Sequence, residues 1–335
     1  MKDGKRLKVG VHSGTFHADD CMAVAILMAA ASIVNATLEV IRTRVQALLD
    51  GCDILLDIGG RYEKPRWECS CTYGPSTSLA ATLGTKCDCG LGAQVCLDHH
   101  QVGAPERVID GTPYAAGGLV WKHYAHLFTA NDVVVRAVDA ELLRYIDIRD
   151  NGHGQGVATF ELEDLVSARN PLWDEPDADT FTAFMSTVAL MRRVFERKLC
   201  EVESRVAGYE VIERAIQVAH LAGFTADGAG GHVLLLDCEV DWKQYVIEHA
   251  PDALYVVYQC RETGEWHVHC VPPVLGSYRQ RKPLPIAWAG AREGELQAVT
   301  EVPTAKFCHK ARFICGAYDR EGAYALAKKA VLAAV

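Results

Sequence analysis

Several things are scarce in this chain, and each scarcity removes a class of protein. No stretch approaches the roughly 18 uninterrupted apolar residues needed to cross a bilayer. The opening residues, MKDGKRLKVGVHSG, lack the apolar core of a secretory signal. A soluble intracellular protein with no membrane partner is the expectation, cytoplasmic first, with nucleus and mitochondrion left open. Basic residues are not in surplus: 34 Lys and Arg stand against 43 Asp and Glu, a formal net charge of -9. That balance excludes a protein that coats nucleic acid by bulk charge, although a local basic cleft stays open. Low-complexity segments and internal repeats are also lacking, apart from a local doublet of cysteine motifs.

What is present is enough for a sizeable core. The chain has 335 residues, 50% of them hydrophobic, and a domain usually takes roughly 100 to 200 residues. Two domains are therefore expected, while the oligomeric state is left open. Thirteen cysteines is a high and odd count. Without a secretory signal they read as reduced, buried or metal-bound rather than as a disulfide framework.

The first half alternates short β-branched runs with helical stretches. LKVGVH (Leu7 to His12), TLEVIR and DILLDIGG read as strands, and DDCMAVAILMAAA reads as a buried helix. This alternation predicts βαβ units and a parallel sheet. The unbroken apolar character of ILLDI fits a strand covered on both faces. From Gly118 the pattern turns helical and ends in the glycine-rich NGHGQG, where a domain boundary is expected. The expected architecture is thus α/β, with a parallel-sheet domain over 1–155 and a smaller second α/β domain over 156–335. The second would comprise one or two long amphipathic helices followed by strands at HVLLLD, ALYVVYQC and WHVHCV.

An insert near 64–96 carries CSC and CDC around a loop rich in Gly, Ser and Thr. Thiolates from Cys69, Cys71, Cys87 and Cys89 would suit a structural Zn²⁺. One intervening residue, however, is fewer than the two to four usual between paired zinc ligands. The alternative is an exposed insertion whose cysteines do nothing essential. Neither reading places them in the chemistry.

The chemistry gathers at strand ends. His12, Asp57 and Asp98 fall at or just past the carboxyl ends of predicted strands, the edge where open α/β sheets bind ligands. HSGTFHADD offers two histidines and two carboxylates between a strand and a helix. Such mixed nitrogen and oxygen donors suit Mn²⁺ and related metals. With Asp57, His99 and Asp147, these residues come from the ends of different elements. They could converge on two ions about 3.5 to 4 Å apart, bridged by Asp57.

Each piece also has a plainer reading. Asp20 reads first as an acidic first-turn residue favoured by the helix dipole. His12 could be a hydrogen-bonded core histidine, Asp57 a turn former before Gly59 and Gly60, and Asp150 with Asn151 and Gly152 a helix C-cap. Taken together the plain readings are poor, since five element ends would carry unrelated buried polar groups.

The motifs TFHADD, LLDIGGRY, DHHQ, IDIRDNG, GSYRQRKPLP and FCHKARFICG, in that order, span nearly the whole chain. In them the sequence resembles the melanocyte-proliferating-gene exonuclease family, a branch of the DHH phosphoesterase superfamily whose older label is metal-dependent protein hydrolase. The resemblance implies a two-domain fold with the active site in the cleft between the domains, and two Mn²⁺ or Mg²⁺ ions. It also implies hydrolysis of phosphoester or phosphodiester bonds, with RNA exonuclease activity in the animal members. Carried over by position, His12, His17 and Asp57 would hold one ion, and Asp19, Asp57, His99 and Asp147 the other. His100 would face the substrate phosphate and Asp57 would be indispensable to catalysis. Arg281 and Lys282 would contact phosphate, as His309 would phosphate or sugar, and Gly316 would allow close backbone approach; Arg279 is undecided. The sequence departs from the family in the insert between Tyr62 and Asp98, and in HADD where relatives carry HCDE.

The leading expectation is therefore a two-metal 3′–5′ exonuclease acting on RNA or short oligonucleotides. Its rivals are a small-molecule phosphoesterase and a nucleic-acid- or metal-binding regulatory protein without turnover.

Overall fold

The computed structural model describes residues 6–65, 94–152, 161–222 and 232–333. Their contacts divide into two units, Met1–Val202 and Glu203–Val335. The cysteines proposed for a structural zinc, Cys69, Cys71, Cys87 and Cys89, lie outside the described residues.

The first unit runs β1 (Arg6–Val11), α1 (Ala18–Ile33), β2 (Thr37–Arg42), α2 (Gln46–Leu49), β3 (Ile54–Leu56), β4 (Tyr62–Glu63) and β5 (Val95–Leu97). It continues with α3 (Ala116–Tyr124), α4 (Asp132–Val138), α5 (Arg144–Asp150), α6 (Leu162–Ser167) and the start of α7 (Thr180–Ala222). The strands form one sheet in the order β2-β1-β3-β5-β4. The first four are parallel and β4 is an antiparallel edge on β5. Every residue of β3 and β5 is buried, so these strands carry the continuous apolar runs that a sheet covered on both faces requires. Helix α1 is buried nearly all round, from Ala18 to Leu27 and again at Ala29–Ala31. It packs chiefly against α3. A helix with so little polar surface belongs in a core.

The contact boundary falls inside α7, not at the glycine-rich segment near 155. The reason is packing. Phe184 meets Phe16 edge-on with ring centroids 5.7 Å apart, and Phe195 meets Trp121 at 5.5 Å. The first part of α7 is therefore core of the first unit.

The second unit takes the rest of α7, then β6 (Val233–Leu235), α8 (Lys243–His249), β7 (Tyr255–Gln259) and β8 (Trp266–Cys270). It ends with α9 (Glu293–Thr300), β9 (Ala305–Cys308), β10 (Ile314–Ala317) and α10 (Arg320–Leu332). Its sheet has the order β6-β7-β8-β10-β9, with β6 and β7 parallel and the remaining pairs antiparallel. Alternation along β7 separates two cores. Tyr255 and Val257 join Leu296, Leu326 and Ala330, whereas Val256 and Tyr258 join Ile212, Ile216 and Val246.

Candidate metal centre

Three neighbouring parallel strands, β1, β3 and β5, end at the same edge of the first sheet. Each hands a polar group to the residue that follows: His12 after Val11, Asp57 after Leu56, and Asp98 with His99 after Leu97. The strand order doubles back between β1 and β3, and open α/β sheets bind ligands at such a crevice. Asp57 adopts a left-handed conformation, φ 54°, which Asp tolerates better than most side chains. It turns the chain sharply and is also the hub of the centre. Its Oδ2 lies 3.2 Å from His12 Nε2, and its Oδ1 lies 3.1 Å from His99 Nε2.

The loop between β1 and α1 is fixed from several directions. Asn170 clamps Phe16 by accepting from its N–H at 2.9 Å and donating to its carbonyl at 2.8 Å. Arg42 donates to the Gly14 carbonyl and Arg44 to that of Ser13. At the start of α1, Asp20 Oδ1 accepts from the His17 N–H at 3.0 Å, the helix-start role expected of it. Its other oxygen sits 3.1 Å from His12 Nε2, so Asp20 serves the helix end and the centre together.

Three overlapping groups have donor atoms close enough to share an ion. They are His12, His17 and Asp57; Asp57, His99 and His100; and His17, Asp19 and Asp150. Three carboxylates and four imidazoles thus crowd a small volume, with Asp20 beside them, and their electrostatics record it. Burial would lower His12, but its contacts with Asp20 and Asp57 prevail and raise it to about 10. Burial would raise Asp57, but hydrogen bonds from His12 and His99 hold it at about 2. Asp19 is pushed well above the usual carboxylate range, first by burial and then by Asp57, Asp150 and Asp20. Asp150 rises by burial and by Asp57.

The decisive observation is Asp19 Oδ1, a buried oxygen with no hydrogen-bond donor among the described residues. Asp19 Oδ2 accepts from the Ala116 N–H at 3.3 Å, but a buried carboxylate oxygen left without a partner is costly, so such groups are paired or bind a metal. Oxygen and imidazole donors without sulfur suit hard or borderline divalent cations, and the residues present fit such an ion.

Asp98, the first residue of the DHH triplet, is a positioning group. Its Oδ2 accepts from the Gly60 N–H at 2.6 Å, and its Oδ1 from the His99 and His100 N–H groups at 2.7 and 3.1 Å. The same Oδ1 lies 2.7 Å from His100 Nδ1. His99 is buried, whereas the His100 side chain is 62% exposed. Both border the strand edge, and His100 lines a cavity of about 570 Å³ with His12, His17, Asp57, Arg44 and Arg149.

The structure corrects one expected ligand. Asp147 is fully buried, but Arg107 Nη2 donates to its Oδ2 at 2.7 Å and the Gly118 N–H to its Oδ1 at 3.2 Å. Its carboxylate is spent on the protein, and burial with only partial relief from Arg107 raises it to about 7. A side chain at Gly118 would collide with it, since an added Cβ would lie 1.9 Å from Asp147 Oδ2. Asp150, one helical turn further along α5, takes the expected place, with Oδ2 3.1 Å from His99 Nε2. The sequence reading had offered Asp150 only as a helix cap. It also missed Arg44 and Arg149, which line the cavity; no local pattern marks either.

The expected phosphate contacts in the second unit have structural partners. Arg281 donates to the carbonyls of Ala250, Ala253 and Ile247 at 2.7, 3.0 and 3.1 Å. Lys282 donates to the Val331 carbonyl at 2.6 Å. Gly316 makes room for a side chain, since an added Cβ would lie 2.5 Å from Phe307 Cε1. His309 is exposed and lies beside Phe313, with ring centroids 4.6 Å apart and the planes tilted by 55°.

Comparison with known proteins agrees with the motif order. The profile of the MYG1_exonuc family, described as uncharacterised protein family UPF0160, matches residues 8–68 and 91–331. The gap between the two matched stretches falls within the cysteine insert. The human protein named MYG1 exonuclease is 28% identical over 352 residues, covering 96% of this chain and 85% of its own. Its rat counterpart is 29% identical, covering 96% and 84%. A Caenorhabditis elegans MYG1 protein is 26% identical, covering 96% and 94%. Among solved structures, RecJ of Thermus thermophilus in complex with Mn²⁺ aligns with 97% of this chain and 51% of that one, about half its length. The identity is 13% and the TM-score 0.26, too low to assign a fold.

Proposed function

The chain belongs to the MYG1 exonuclease family, and on that premise we propose that it is a divalent-metal-dependent phosphodiesterase that shortens RNA or short oligonucleotides from the 3′ end. The observation that carries the reading is the convergence of Asp19, Asp57, Asp150, His12, His17 and His99 at one sheet edge, with a buried Asp19 oxygen that no group among the described residues satisfies. These residues would hold two ions, Mn²⁺ or Mg²⁺, with Asp57 common to both. Bound there, the ions would supply a water ionised near neutral pH and stabilise charge on the attacking and leaving oxygens.

The chain's own groups then have separate tasks. His12 Nδ1 is occupied by protein, 3.3 Å from both the Ser13 carbonyl and Arg44 Nη2, which leaves Nε2, facing Asp20 and Asp57, as the ligating atom. Asp98 Oδ1 accepts from His100 Nδ1, which fixes the ring and leaves Nε2 to hold or deliver a proton at the departing oxygen. Arg44 and Arg149 place guanidinium groups on the cavity wall, where they bind phosphate oxygens as planar forks. On the second unit, His309 is a candidate for a nucleic-acid contact, being exposed and held beside an aromatic ring.

The test is hydrolysis of a short RNA labelled at one end or the other, with Mn²⁺, with EDTA, and with a mononucleotide as competitor. The reading expects metal-dependent loss of nucleotides from the 3′ end. Hydrolysis of the mononucleotide alone would point to a small-molecule phosphoesterase. Metal and RNA binding without cleavage would point to a regulatory protein.

A further inference from the structure

A second cavity, of about 590 Å³, abuts the metal centre and has no part in the chemistry described above. It lies in the first unit between α5, α6 and the start of α1. Its walls are mainly apolar: Leu142, Tyr145, Ile146, Ile148 and Leu162. Arg149 and Glu163 line both this cavity and that of the metal centre, so the two are neighbours across a shared wall. Its floor includes Ala18, next in sequence to Asp19. The volume falls within the roughly 300 to 1,000 Å³ typical of small-molecule sites.

Charge decides which part of a substrate suits each cavity. Besides Arg149, the polar lining of the second cavity is acidic, with Glu141, Glu161 and Glu163. A phosphate is repelled there, whereas a neutral group with apolar faces and N–H edges is not. Tyr145 is 63% exposed, an aromatic ring on a helix with its face open. Arg149 is held through Nε by Glu161 Oε2 at 3.2 Å, so its terminal nitrogens are left for a phosphate oxygen at the boundary. Glu163 is fixed by accepting from the Ala18 N–H at 2.9 Å through one oxygen.

We propose that this cavity receives the base of the nucleotide whose phosphate lies at the metal centre, with Tyr145 as the stacking surface and Arg149 as the hinge point between base and phosphate. The inference rests on the nucleic-acid reading above and adds a base-recognition site to it. Aromatic stacking accepts any base, so the site would grip the terminal nucleotide with little sequence preference.

Two ligands that differ only by the base make the test: AMP and ribose 5-phosphate, titrated into the full-length protein with Mn²⁺, with recovery of each ligand checked by chromatography. AMP is expected to bind roughly tenfold more tightly, the size of one base stack. Tyr145→Ala should remove most of that difference, Tyr145→Phe should keep it, and Mn²⁺ affinity should be the same in all three proteins. Because Tyr145 is largely exposed, neither change threatens the fold. Equal affinity of the wild-type protein for both ligands overturns the proposal. So does a Tyr145→Ala protein that keeps the preference, or that loses both ligands alike. Hydrolysis is scored separately. A base preference without RNA cleavage would sink the catalytic reading and leave the base site, and cleavage without base preference would do the reverse.

Discussion

The two units treat charged side chains in opposite ways. In the first, the carboxyl edge of the sheet collects Asp19, Asp57, Asp98 and Asp150 around His12, His17 and His99, and at least one buried oxygen is left without a donor among the described residues. In the second, cations close on backbone carbonyls: Arg281 on three, Lys282 on that of Val331, and Arg312 on that of Leu284. The lesson is that a polar motif is informative about function only where the protein leaves its bonds incomplete. A completed set is architecture, and an incomplete one awaits a ligand.

Asp57 gives the largest expected effect. Asp57→Asn should abolish metal-dependent hydrolysis, because the residue belongs to two of the three donor groups. Binding a metal at a hundredfold its dissociation constant stabilises a protein by about 2.7 kcal/mol. The wild-type protein should therefore melt several degrees higher with Mn²⁺ than with EDTA, and the variant should lose that gain. A variant that kept the thermal shift and the activity would break the contrast at its centre.

The pair on α5 sharpens it. Asp150→Asn should lower metal affinity and rate with little change in the metal-free melting temperature. Asp147→Asn should do the reverse, since it leaves Arg107, which is 5% exposed, with Asp139 as its remaining carboxylate partner. Breaking a buried pair costs on the order of 3 kcal/mol. Calorimetry and metal titration on both variants check this. Loss of metal in Asp147→Asn with stability intact would return Asp147 to the ligand set.

In the second unit Arg281→Ala should cost about 2 kcal/mol, because three carbonyls lose a donor and water replaces it in part. The rate per folded molecule should be unchanged. If instead the rate fell tenfold while the melting temperature held, Arg281 would be a phosphate contact after all.

Much of this contrast was legible in the sequence, and the illegible part has a physical cause. Buried parallel strands appear as unbroken apolar runs, so the ends of β1, β3 and β5, and with them His12, Asp57 and His99, could be read directly. Asp147 and Asp150 could not be told apart, because residues three apart share a helix face. The choice is made by Arg107, forty residues away. The contacts of Arg281 were illegible for the same reason: its acceptors are backbone carbonyls of α8 and the loop that follows, which no side-chain pattern announces. The glycine-rich stretch near 155 looked like a boundary, yet Phe184 and Phe195 keep the following helix in the first core.

The smallest expected effect separates the units by pH in the metal-free protein. In the second unit, His269 lies beside Tyr258, Trp242 and Phe313, with its Nδ1 3.3 Å from the Tyr258 hydroxyl. Burial, with Lys243 and His267 nearby, lowers it to about 4. Between an unfolded value near 6.5 and 4, the unfolded chain binds more protons than the folded one. His269 therefore contributes stability above about 6.5 that is lost as pH falls through about 4. In the first unit, His12 is raised to about 10 and Asp147 to about 7, so their contributions are lost as pH rises. His123, lowered to about 4, opposes them below 6.5. Amide hydrogen exchange, corrected for intrinsic rates, should thus show β8 losing protection between about pH 7 and 5 while β1 gains or holds. Replacing His269 by Gln should flatten the response of β8 alone. If β1 and β8 lose protection in parallel in the wild-type protein and in the His269→Gln variant, the electrostatic contrast between the units does not govern their stability.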